Sequence, residues 1–229
     1  MKRIKTTISG FDELIQGGFP ENSCIYLSGK PGTGKTIFSL QYLYGGAYFE
    51  NEVGIYFSFE EKKDSLYQQA DQFGWDLKKL EKDKKIKVIT IGYENISLNL
   101  IQDIFEIIKD LKAKRIIIDS ISTLAFLASG ISSKNSINEF TVKNFLYSFI
   151  TKFRELEDVN VLFIGQEGEE LSSKISNYIC DGIISISYEP LGGSFSRILT
   201  IPKMRKTKND EDIHPLEISP NGIIIHNLE

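Results

Sequence analysis

Gly29-Lys30-Pro31-Gly32-Thr33-Gly34-Lys35-Thr36 decides the fold of this chain. The spacing is G-x-x-x-x-G-K-T, the P-loop pattern, and its flanks make it more than a string match. Residues 23–28 form a short apolar run that reads as a buried strand, and residues 37–43 read as the first turns of a helix. The glycines let the backbone curl until successive N–H groups face inward at phosphate oxygens. The helix N-terminus adds the positive end of its dipole at the same point. Gly32, Thr33, Gly34, Lys35, Thr36 and Ile37 are therefore the candidate phosphate cradle. Lys35 is placed to reach β- and γ-phosphates, and the Thr36 hydroxyl to hold Mg²⁺.

Outward from that loop the chain alternates. Residues 53–59, 86–91, 115–119 and 159–164 are β-branched and aromatic runs, read as strands. Between them, residues 63–73 read as a polar helix. Residues 97–111 carry Leu100, Ile101, Ile104, Ile107, Ile108 and Leu111 at helical spacing. Residues 137–156 read as a long helix with Phe140, Phe145, Phe149 and Phe153 on or near a core face. Such alternation predicts α/β architecture, a mostly parallel sheet with helices on both faces. Two antiparallel hairpins are expected to close it, residues 182–188 with 197–201 around Pro190 and Gly192-Gly193, and 216–218 with 223–225 around Pro220-Asn221-Gly222. At the start, residues 6–15 read as a short helix with Ser9 as N-cap and Asp12 three residues on.

The 229 residues suit a single domain, 1–229, and a hydrophobic content of 41% supports a large core. No stretch is apolar for long enough to span a bilayer, and no signal-length apolar run follows the basic N-terminus. A cytoplasmic protein with no membrane partner is the expectation. Cys24 and Cys180 lie in apolar runs without metal-ligand spacing and read as buried thiols. A net charge of −4 argues against nucleic acid as the main partner.

In an open parallel sheet, ligands bind beyond the carboxyl ends of the strands. The P-loop, Glu60-Glu61 and Asp119 all stand at such ends, so they converge on one edge. Asp119, after three isoleucines, is placed to order Mg²⁺, with Glu60 a further candidate beside the metal. Hydrolysis needs a group that orients or deprotonates water, and the paired carboxylates Glu60 and Glu61 suit that task. Repulsion between close carboxylates raises a pKa. The same acids also suit the start of the following helix. The basic run Lys203-Met204-Arg205-Lys206-Thr207-Lys208 admits three roles: a solvated hairpin tip, a nucleic-acid contact, or positive charge for the nucleotide of a neighbouring subunit.

Together these residues resemble the KaiC-type branch of the RecA-like ATPases over nearly the whole chain. The likeness is carried by Ile8–Leu14 with Gly17-Gly18-Phe19-Pro20, by the P-loop and by Phe59-Glu60-Glu61. It continues through Phe73-Gly74-Trp75-Asp76-Leu77, Ile118-Asp119-Ser120 and Lys203-Met204-Arg205. The resemblance implies a RecA-like fold, ATP with Mg²⁺ as cofactors, and a homo-oligomeric ring, usually a hexamer, with ATP held between subunits. It implies that Lys203 and Arg205 reach the neighbour's ATP, that Met204 and Thr207 lie at the nucleotide, and that Glu60 and Glu61 activate water. Lys206 stands where the family usually has Gly, and Asn209 where His is common. The family's clock member phosphorylates a Ser-Thr pair just before the strand matching Gly182. Asn177-Tyr178 stand there in this chain, so autokinase activity is not expected.

The resulting expectation is an ATPase that assembles as a ring and signals through its nucleotide state to a protein partner. One alternative is a DNA recombination accessory. The loops 129–138 and 165–177 bear on it, and Glu167, Glu169 and Glu170 against Lys174 give the second an acidic excess that repels phosphates. Another alternative is a nucleotide-locked scaffold with negligible turnover, which Glu60-Glu61 argue against.

Overall fold

The structure, a computed structural model, describes residues 1–92, 99–124, 139–166, 178–189 and 196–227. Loop 129–138, Glu167, Glu169, Glu170, Lys174, Asn177 and the turn at Pro190 and Gly192-Gly193 lie outside the described residues. The chain opens with β1 (Arg3–Ile4), α1 (Phe11–Leu14) and β2 (Phe19–Pro20). The alternating body follows as β3 (Cys24–Gly29), α2 (Lys35–Tyr48), β4 (Gly54–Ser58), α3 (Lys63–Asp71) and α4 (Leu77–Lys82). It continues with β5 (Ile86–Thr90), α5 (Leu100–Leu111), β6 (Arg115–Asp119), α6 (Glu139–Phe153) and β7 (Asn160–Gln166). The end is β8 (Gly182–Tyr188), β9 (Arg197–Met204), β10 (His214–Ser219) and β11 (Gly222–Ile225).

Among the described residues the central sheet has nine strands in the order β11-β10-β9-β8-β3-β7-β6-β4-β5. Strands β3 to β8 run parallel, and β8, β9, β10 and β11 pair antiparallel in succession, through three ladders. This is the expected RecA-like α/β architecture. Both faces are buried because side chains alternate with period two. Ile25, Leu27, Tyr56, Ile117, Leu162 and Ile164 pack beneath α2, α3, α4 and the last hairpin. Cys24, Tyr26, Ile55, Phe57, Ile116, Ile118, Val161 and Phe163 pack beneath α5 and α6.

Three local expectations are corrected. Ser9 does not cap α1: Gly10, at φ 77°, is the N-cap and no side chain caps it. A side chain there would put its Cβ 1.9 Å from the Ile225 carbonyl oxygen, so the last hairpin forces glycine at that position. Asp12 instead accepts from the Thr6 amide at 2.9 Å and the Thr6 hydroxyl at 2.6 Å. Phe140 is not core but 67% exposed, whereas Phe149 and Phe153 are buried against Phe163. Nine residues make about two and a half helical turns, which sets Phe140 opposite Phe149. Finally, β9 runs on through Lys203 and Met204, because Met204 is buried in the core and pairs with Gly182.

Candidate active site

The P-loop leaves β3 where Gly29 pairs with Gln166 on one side and Ile186 on the other. A Cβ on Gly29 would lie 2.4 Å from the Ile186 carbonyl oxygen, so only glycine lets the loop start beside β8. Gly32 and Gly34 have φ of 81° and 109°, the left-handed region that glycine enters without steric cost. Thr33 is fully buried, its hydroxyl donating to the Lys30 carbonyl at 2.9 Å. Lys35 Nζ donates to the Gly29 and Lys30 carbonyls at 2.8 and 3.0 Å, so its ammonium lies in the bowl of the loop. The ladder of α2 begins with the Phe38 amide on Gly34 at 2.9 Å. Thr36 and Ile37 stand ahead of it, where amides point out along the helix axis; the Ile37 side chain packs on the core.

The last hairpin pins this helix. Gln41, buried in α2, donates to the Ile223 carbonyl at 3.2 Å and accepts from its amide at 2.6 Å. Ile218 and Ile223 close on Gly34, where a Cβ would meet Ile218 Cδ1 at 3.3 Å. At the end of β8, the Tyr188 hydroxyl donates to the Gly32 carbonyl at 2.6 Å. Neither contact was expected from the sequence. A glutamine inside the buried run Leu40–Leu43 was the one visible signal.

Asp119 lies at the carboxyl end of β6, level with Ser58 of β4 and Ile164 of β7. It is buried and accepts a hydrogen bond from the Tyr56 hydroxyl. Burial pushes its carboxyl up to about 6; the charges of Glu60 and Glu61 add to the rise, while Tyr56 and Lys35 oppose it. The sequence-level repulsion between carboxylates thus acts on the third acid of the edge. Glu60 turns toward Asp119's neighbours, accepting from Ser120 Oγ at 2.5 Å and Thr123 Oγ1 at 2.7 Å. Glu61 turns the other way, accepting from Ser65 Oγ at 2.8 Å and Gln69 Nε2 at 2.6 Å on α3. The two acids therefore turn to different elements, Glu60 to the residues that follow β6 and Glu61 to α3.

These donors fit Mg²⁺, which takes oxygens from one or two protein groups plus phosphates and water. Thr36 supplies a hydroxyl, and a buried carboxylate held against its own ionisation gains from a cation. Among the described residues no cluster of three or more His, Cys, Asp or Glu side chains could hold a metal by itself.

Lys203, Arg205 and Thr207 are not brought to this edge. Gly182 pairs with Ile25 and with Met204, whereas the P-loop begins four residue steps along β3 at Gly29, about 13 Å away at ~3.3 Å per residue. Lys203 Nζ donates to the Cys180 carbonyl at 2.7 Å. Arg205 reaches the Tyr178 carbonyl at 3.3 Å and Asp181 Oδ1 at 3.4 Å, and Arg154 meets the same Oδ1 at 3.1 Å. Burial, then the neighbouring Arg205, lowers the Lys203 pKa. Arg205 and Arg154 thus share the Asp181 carboxylate, with the Lys203 ammonium on the backbone carbonyl just before it. The Thr207 hydroxyl accepts from Arg3 at 2.6 Å, and Asn209 donates to the Ile201 carbonyl at 2.7 Å. Lys206 has φ 59°, which accounts for the glycine usual there. Cys24 and Cys180 are buried free thiols, and burial pushes Cys24 up to about 12. Among the described residues no helix is long and apolar enough to cross a membrane.

The family model described as "ATPase: KaiC" matches residues 4–229. A UPF0273 protein of Aeropyrum pernix is 34% identical, covering 98% of this chain and 93% of its own length. Another, from Methanocaldococcus jannaschii, is 33% identical over 99% of this chain and 97% of its own. The crystal structure of the KaiC-like protein PH0186 from Pyrococcus horikoshii superposes with a TM-score of 0.85 at 33% identity, covering 99% of both chains.

Proposed function

Because the chain belongs to the KaiC ATPase family, we propose that it binds ATP with Mg²⁺ at Gly29–Thr36 and hydrolyses it at sites shared between subunits of a ring. Gly32–Ile37 cradle the phosphates and Lys35 swings from the loop carbonyls onto the β/γ-phosphate oxygens. The Thr36 hydroxyl and Asp119 would hold Mg²⁺, which when bound neutralises charge on the phosphates. Glu60, facing Ser120 and Thr123, orients and deprotonates the attacking water.

One observation carries the shared site. Lys203 and Arg205 lie at the amino edge of the sheet, away from their own P-loop, with Arg205 on Asp181 beside Arg154 and Lys203 on the neighbouring Cys180 carbonyl. They cannot serve the nucleotide of their own chain, so they would serve the next one, as cationic fingers do. A regulatory role through nucleotide state follows naturally for a cytoplasmic ring whose assembly depends on that contact.

Complementation tests this reading. Lys35→Ala should lose ATP binding and Arg205→Ala should lose turnover, each alone. Mixed subunits should regain activity, because one interface then joins an intact P-loop to an intact finger. Mixed rings, confirmed by native mass spectrometry, that stay inactive would refute the shared site.

A further inference from the structure

We propose that Tyr188, braced by Arg197, is a positioning residue for the P-loop, holding it in the shape that receives a nucleoside triphosphate. The inference rests on Gly29–Thr36 being the nucleotide site.

β8 pairs with β3 up to Gly29 and Ile186, then outruns it by two residues to Tyr188. That overhang lies alongside the loop. The Tyr188 hydroxyl donates to the Gly32 carbonyl at 2.6 Å, and a Cβ on Gly32 would sit 3.3 Å from the same oxygen. The hydroxyl therefore fixes the Gly32–Thr33 peptide plane beside a φ of 81°. In a phosphate cradle the amides must point inward, so a carbonyl turned outward, as that of Gly32 is toward Tyr188, needs a partner of its own. Tyr188 supplies one from outside the loop, where it would not obstruct a ligand.

The brace is a cross-strand pair. Arg197 stands directly opposite Tyr188 in the β8/β9 ladder. Its guanidinium lies over the ring at 5.1 Å from the centroid and donates to the hydroxyl oxygen at 3.2 Å. A hydroxyl that accepts from a cation is a stronger donor to its own acceptor. Tyr188 is 45% exposed, so its ring is not retained for core packing.

Stopped-flow binding of a fluorescent ATP analogue to Tyr188→Phe, Arg197→Gln, the double variant and Lys35→Ala tests this. Tyr188→Phe keeps the ring and removes only the hydroxyl. It should weaken binding about two- to tenfold, the range of one hydrogen bond, with no fall in thermal midpoint without nucleotide. Arg197→Gln should weaken binding in the parent but add nothing in the Tyr188→Phe background, since it acts through Tyr188. Parent-like binding by Tyr188→Phe, or an equal Arg197→Gln effect in both backgrounds, would overturn the brace. Lys35→Ala separates the two readings: if it binds like the parent, the nucleotide site itself is wrong. An inert Tyr188→Phe beside a defective Lys35→Ala overturns only the positioning role.

Discussion

Asp119→Asn should make the protein more stable while disabling its site, and the size of the gain should depend on pH. Asparagine is close in shape to protonated aspartate and can still accept from Tyr56. The folded carboxyl is pushed from 3.8 to about 6, mainly by burial. Below pH 3.8 the side chain is protonated in both folded and unfolded chains, and the shift costs nothing. Between those values the folded protein keeps a proton that the unfolded chain releases, so stability falls as pH rises. Above pH 6 the full penalty stands. At 1.36 kcal/mol per unit it is about 3 kcal/mol, or a melting difference of about 6–12 °C for a chain of this size. Thermal denaturation from pH 4 to pH 8, without nucleotide or magnesium, measures it. Asp119→Asn should melt above the parent at pH 8 and converge on it toward pH 4. Mg²⁺ and ATP at about a thousandfold excess over Kd should reverse the order, because only the parent gains the binding free energy, about 4.1 kcal/mol, which exceeds the penalty. A variant that melts at or below the parent at pH 8, or a gap as wide at pH 4 as at pH 8, would refute the reasoning.

Two further outcomes follow from side-chain direction and burial. Glu60→Gln should retain ATP and slow single-turnover hydrolysis about 10²-fold or more. Glu61→Gln, whose carboxylate is tied to Ser65 and Gln69, should lose less turnover, and an equal or reversed loss would put water activation on Glu61. Glu52→Gln should destabilise by about 3–5 kcal/mol in urea unfolding, since it removes the carboxylate from Arg115, which is 1% exposed, bonded to Glu52 at 2.7 Å and otherwise held by the neutral Tyr42 carbonyl at 2.9 Å. A loss under 1 kcal/mol, the ceiling of about 1 kcal/mol for a surface pair, would mean that the pair is screened as on an open surface.

The strands and helices of the body were legible because each signal was local. Continuous β-branched and aromatic runs mark β3, β4, β6 and β7, and an acid or glycine at or just past each carboxyl end marks the edge where they converge. What escaped was set by contacts distant in sequence. Ser9 reads as a cap, but Gly10 takes that position because Ile225 crowds it. Glu60 and Glu61 are adjacent and chemically alike. Only the placement of Ser120 and Thr123 on one side and α3 on the other separates them. Tyr188 reads as the end of a hairpin strand, and its meeting with Gly32 depends on β8 outrunning β3. The Asp181 cluster joins residues 24, 154, 181 and 205, which no local pattern connects.

Charge gives the two edges of the sheet complementary character. The carboxyl edge gathers Asp119, Glu60 and Glu61 near a loop with two lysines, Lys30 and Lys35, and the amino edge gathers Lys203, Arg205 and Arg154 beside Asp181. Pairing like edges of two copies would set acids against acids or cations against cations. Pairing unlike edges brings the cations toward the site where a triphosphate adds its own negative charge. Such a contact is head-to-tail, and head-to-tail contacts close into rings when the rotation permits or run on as filaments when it does not. Complementary charge of this kind fixes orientation and speeds encounter more than it deepens affinity. Under the proposed function the nucleotide then becomes part of the interface. ATP supplies the anion that Arg205 and Lys203 meet, and loss of the γ-phosphate removes it. Hydrolysis at one edge of a subunit would thereby be read as a weakened contact at the opposite edge of the next.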